Sequence, residues 1–137
     1  MFPGTVRYSR TDAPAGWDIR DWDTANKLLG YLEPERRHYA IFAFDDNCYV
    51  QCLGCKTALT VEARVYSDTT SFQHFVFGKA DATGETTTVG NLENCVTVDT
   101  SQVLKMRDAR LIIRQFLETR TFHNRYVTTD VADKFNA

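Results

Sequence analysis

Apolar positions in this chain change their period twice. Trp22, Ala25, Leu28, Leu29 and Leu32 recur every three or four residues, the stripe of an amphipathic helix over 22–32. Asp21 or Asp23 can cap its start, and Pro34 ends it by disfavouring helical backbone at the preceding residue. Between residues 38 and 79 the apolar residues gather into four short runs separated by turn signals. The 38–44 run (HYAIFAF) is almost wholly apolar, as expected of a strand covered on both faces. Asp45, Asp46 and Asn47 make a turn, 48–53 returns as a second strand, and Gly54 marks the next reversal. Residues 59–66 alternate, with Leu59, Val61, Ala63 and Val65 to one side and Thr60, Glu62, Arg64 and Tyr66 to the other. After a turn at 67–70, residues 72–77 supply a fourth strand. Fifth and sixth strands are expected in the Thr-rich stretch at 86–89 and at 95–98.

The helical period returns at Met106, Ala109, Ile112, Ile113, Phe116 and Leu117, and Arg107, Arg110 and Arg114 take the opposite face. Residues 1–16 read as a loop or an edge strand around 6–8. Residues 122–135 keep Phe122, Tyr126, Val131 and Phe135, so the tail is expected to pack. The expected fold is α+β: an antiparallel meander of five or six strands, with an N-terminal helix and a long C-terminal helix on one face, in a single domain over residues 1–137. Ile41, Leu59, Val61, Ala109, Ile112, Ile113 and Phe116 are the expected core. A curved sheet of the NTF2 type, enclosing a pocket lined by Tyr49, His74 and Phe75, is the alternative.

Composition is that of an ordered domain, with 43% hydrophobic and 25% charged residues. No apolar run reaches the roughly 18 residues of a membrane span, and the first residues lack the order of a secretory signal. A cytoplasmic protein is expected, with no membrane partner. The net charge of −2 argues against nucleic acid, whose binders carry a basic stripe. Charge is unevenly placed. Residues 41–101 hold three basic groups against eight acidic ones, whereas residues 102–137 hold seven basic groups against four acidic. An acidic platform of this kind is either a solubilising surface or a face that draws in a basic partner. Asp45, Asp46, Glu62, Asp81, Glu85 and Glu93 are the candidate contact residues.

Candidate chemistry is sparse. Cys52 and Cys55 form a C-x-x-C, with Cys48 and Cys95 nearby in sequence. A structural zinc site needs a second ligand pair, and a redox pair wants a helix N-terminus where this one straddles a strand reversal. Four reduced, metal-free thiols are therefore expected, with no cofactor. His74 beside Glu62 or Asp68 is the one plausible acid–base pair, and it supports the alternative of a small NTF2-like enzyme or ligand-binding domain. A hydrogen-bonded histidine at a sheet surface explains the same residue without catalysis.

The order of elements resembles the immunity proteins of bacterial polymorphic-toxin systems, including contact-dependent growth inhibition, especially the Imm1-like group. The resembling segments are 39–51 (YAIFAFDDNCYVQ), 59–64 (LTVEAR), 72–79 (FQHFVFGK) and 103–119 (VLKMRDARLIIRQFLET). The tryptophan-bearing C-terminal segment of that group is replaced here by residues 122–135. The resemblance implies a non-enzymatic inhibitor that binds a cognate toxin domain, often a nuclease, and blocks its active site or an adjacent surface.

Overall fold

The computed structural model describes residues 1–135. Its elements are β1 (Val6–Arg10), β2 (Ala13–Ile19), α1 (Trp22–Leu29), β3 (Tyr39–Phe44), β4 (Tyr49–Cys55), β5 (Ala58–Tyr66), β6 (Phe72–Gly78), β7 (Thr86–Gly90), β8 (Cys95–Asp99), α2 (Met106–Thr119) and β9 (Val127–Asp130). Short 3-10 turns, Thr100–Gln102 and Ala132–Phe135, precede α2 and follow β9. Seven strands form one antiparallel sheet in the order β2-β1-β3-β4-β5-β6-β9, and β7 and β8 pair as a separate ribbon. The fold is α+β, and β3 to β6 follow one another as the expected meander.

Strand alternation sorts side chains onto two faces. Val6, Tyr8, Phe42, Phe44, Val50, Cys52, Leu59, Val61, Ala63 and Phe77 are buried in one cluster with Ala25, Leu28 and Leu29 of α1 and Ala109, Ile112, Ile113 and Phe116 of α2. Both helices therefore cover the same face. Helix α1 begins at Asp21, whose carboxylate accepts hydrogen bonds from the Thr24 amide at 2.9 Å and hydroxyl at 2.8 Å. At the start of α2 the Asp108 carboxylate accepts from the Lys105 amide. Its other oxygen accepts from the Tyr126 hydroxyl at 2.7 Å. Desolvation and that carboxylate push the Tyr126 phenol up to about 12. Arg120 ends α2 in the left-handed region and reaches back over the Phe44 ring, 3.9 Å from its centroid, to Asp46. One side chain thus ties the helix end to the β3–β4 turn.

Several expectations need correction. The sheet has seven strands because residues 6–19 form a hairpin, β1–β2, on one edge and residues 127–130 add β9 to the other. The hairpin is disguised in sequence by Pro14 and Gly16, which mark the edge strand β2. Gly16 has φ of +64°, and a Cβ there would lie 1.9 Å from the Tyr8 carbonyl oxygen. The expected fifth and sixth strands do form, but as the ribbon outside the sheet. Helix α1 stops at Leu29, earlier than residue 32, because Tyr31 and Leu32 bond to carbonyls three residues back and tighten the chain. Ile41 is only half-buried. It shares a side with Tyr39 and Ala43, away from the helices, so 38–44 is not covered equally on both faces. The other six expected core residues are buried.

Candidate functional site

The face of the sheet away from the helices carries a polar network assembled by register. Gln51 lies opposite Glu62, and Arg64 opposite His74. The Gln51 amide donates to Glu62 Oε2 at 3.2 Å, Glu62 Oε1 lies 2.8 Å from His74 Nε2, and Arg64 Nε donates to His74 Nδ1 at 3.0 Å. Since Arg64 can only donate, Nδ1 is the acceptor and the ring proton sits on Nε2, directed at the carboxylate. The Arg64 guanidinium is stacked 4.0 Å from the centroid of Phe72 and 4.5 Å from that of Phe135, with Tyr49 further off at 5.6 Å. Phe135, from the closing 3-10 turn, also covers His74 at 4.7 Å between centroids. His74 is 1% exposed as a result.

This arrangement brings together one half of the acid–base candidate and seals it. His74 and Glu62 touch, but both ring nitrogens are engaged and the ring lies under an aromatic cover. Asp68 is elsewhere, its carboxylate accepting from the Thr70 and Ser71 amides, which hold it below its ordinary range and build the β5–β6 turn. Phe75 points to the helix side, where it packs on Phe122. Tyr49, His74 and Phe75 therefore do not line one pocket.

The six acidic candidates do not form one patch. Asp45 and Asp46 stand in the β3–β4 turn, at the end of the sheet shared with the β5–β6 turn. Desolvation opposes ionisation of Asp46, but hydrogen bonds from Arg120 and Cys48 outweigh it and hold the carboxyl below its usual range. Asp81 and Glu85 are exposed beyond the far end of β6. Glu93 is exposed at the tip of the β7–β8 ribbon, and Asn91 beside it donates to the Pro34 carbonyl at 2.8 Å, ahead of β3. Glu62 is turned into the network, its side chain 12% exposed. The sequence displays these acids close together because turns follow each other quickly. Antiparallel strands send alternate turns to opposite ends.

The C-x-x-C is divided by the same geometry. Cys52 points to the helices and is fully buried, and desolvation pushes its thiol up to about 12. Cys55, three residues on, faces the other way, with its sulfur 3.5 Å from the Thr57 hydroxyl. All four cysteines are free thiols, and no group of three potential metal ligands occurs among the described residues. No helix among them is long and apolar enough to cross a membrane.

A cluster that sequence reasoning missed lies where β1, β2 and the chain after α1 meet. Arg10 stands over Trp17 and over Tyr31, each with its guanidinium carbon 5.5 Å from the ring centroid, and Arg37 stands over Tyr31 at the same distance. Asp12 bridges the two guanidinium groups at 2.7 and 2.9 Å. Desolvation works against this carboxylate, but the two arginine hydrogen bonds prevail and lower its pKa. Tyr31 falls out of phase with the α1 stripe, and this was the available signal. No protein-family model matches the chain, and no curated protein does.

Proposed function

We propose that this chain is a non-catalytic binding protein, an immunity protein that neutralises a cognate toxin domain, such as a nuclease, in the cytoplasm by covering its active site or an adjacent surface. The observation that carries this reading is the fate of the one acid–base pair. His74 and Glu62 are saturated by Arg64 and Gln51 and covered by Phe135, so they serve the fold and offer no proton to a substrate. What remains on display are loops, turns and the ribbon, where binding residues are commonly carried. Acidic groups at both ends of the sheet suit a nuclease surface that must be basic to hold its own substrate. The reading needs no cofactor and no metal.

The test uses the domain encoded at the C-terminus of the adjacent reading frame. Mixing it with this chain should give a stable complex and abolish the domain's activity. Changing Asp45 and Asp46 to lysine in one variant, and Asp81, Glu85 and Glu93 in another, identifies which end contributes. The contributing end should show slower association and a weaker dependence on salt, since exposed charges are screened beyond roughly 8–10 Å. A domain that stays fully active beside excess chain overturns the reading.

A further inference from the structure

Among the large apolar residues left exposed, three converge on one end of the molecule. Leu92 is fully exposed, Tyr31 is 52% exposed and Trp17 is 40% exposed. Trp17 and Tyr31 belong to the arginine-stacked cluster, and Leu92 stands at the ribbon tip, which Asn91 bonds to Pro34 in the loop that links Tyr31 to Arg37. Trp, Tyr and Arg are the residue types that dominate binding energy at protein interfaces, and here they are already held in place. The Trp17 ring rests edge-on against buried Tyr8 at 5.2 Å, and Asp12 fixes both guanidinium groups. Little side-chain freedom is left to lose on binding.

We infer that the surface made by Arg10, Trp17, Tyr31, Arg37 and Leu92 is the central contact of this protein with its partner, and that the partner fills it with a carboxylate flanked by apolar side chains. The inference rests on the immunity reading and names the surface that reading leaves open. Charge selects the occupant. Two guanidinium groups share the single carboxylate of Asp12, so one positive charge is left over beneath the aromatic rings. Glu35 and Glu93 stand exposed nearby and would repel a phosphate backbone, which excludes a nucleic-acid strand. The adjoining cleft, lined by Pro34, Gly54, Cys55 and Val89, encloses only about 130 Å³, below the size of a small-molecule site. A protein surface is what remains. Glu93, beside Leu92, would sit on its rim.

The experiment titrates the purified adjacent-frame domain against the full chain and three variants. Tyr31→Ala combined with Leu92→Ala removes two side chains that are more than half exposed, so folding is retained. It should weaken binding on the order of 30-fold or more. Arg37→Gln removes the surplus charge and should speed dissociation. Leu111→Ala, a comparably exposed leucine on α2, should change nothing. If the full chain binds and the Tyr31/Leu92 variant binds equally well, the inference is overturned and the immunity reading stands. If Arg37→Gln has no effect, the assigned carboxylate is wrong. If the full chain does not bind the domain at all, both readings fall. Self-association of the full chain that disappears in the Tyr31/Leu92 variant would assign the surface to a second copy and overturn the inference.

Discussion

The two faces of this sheet are stabilised by different physics. Under the helices, Leu59, Val61, Ala63 and Phe77 meet Ile112, Ile113 and Phe116 in a core whose strength comes from apolar area removed from water and from close packing. On the other face, Gln51, Glu62, His74 and Arg64 sit where a second apolar layer could have been, and are held by directed hydrogen bonds under aromatic rings. The first face tolerates changes of shape within a fixed volume. The second tolerates changes of volume better than changes of hydrogen-bonding pattern, because one missing partner leaves a buried polar atom unpaired.

The largest expected effect tests the apolar face. Ile113→Ala should lower stability by about 2–5 kcal/mol through lost transfer energy and a residual cavity, read from urea melts. A loss below about 1 kcal/mol would show that α2 does not pack as described. On the polar face, Glu62→Ala should cost about 1–3 kcal/mol, because the His74 Nε2–H and the Gln51 amide both lose their acceptor. Glu62→Gln keeps an acceptor and should recover part of the loss. Equal stability of the two variants would mean that volume, not hydrogen bonding, governs both faces, and the contrast between them would fail.

A smaller effect is expected at Asp99, whose carboxylate accepts from the Thr83, Ser101 and Gly84 amides and is held well below its ordinary range chiefly by the Thr83 bond. A depressed carboxylate contributes stability above its unfolded pKa and loses it as pH falls through the folded value. Asp99→Asn should therefore be less stable than the parent at pH 7. The gap should narrow progressively in melts taken below about pH 4, the unfolded value. A gap independent of pH would mean that ionisation of Asp99 contributes nothing. The smallest effect belongs to Leu111→Ala, within about 0.5 kcal/mol of the parent, since this leucine touches neither face of the sheet.

Periodicity made the helix-covered face legible. The stripes of α1 and α2 and the alternation of β5 place their residues with no knowledge of pairing. The polar face was legible only in part. Glu62 and Arg64 could be assigned to one side of β5, but their meeting with Gln51 and His74 depends on the register of two hairpins, which alternation does not set. The cover over His74 was out of reach, because Phe135 arrives from a strand with almost no apolar pattern. The arginine-stacked cluster is built from four separated stretches, so no local spacing announces it. Acidic turns that follow one another in sequence were read as one surface, and antiparallel geometry sends them to opposite ends.

Strand β9 also sets a time scale. It has four residues, lies at the sheet edge and pairs with β6 alone, and its bond partners His74 and Asp130 are 56 positions apart. Detaching it and the 3-10 turn beyond it breaks few contacts with the helix-covered core. Such a segment opens at a free-energy cost well below that of global unfolding. Amide protons of β6 that bond to β9 should then exchange with solvent through a local opening, while those of β4 and β5 wait for the whole chain to unfold. Each opening lifts Phe135 away and wets His74, so the polar face has its own clock, faster than that of the core.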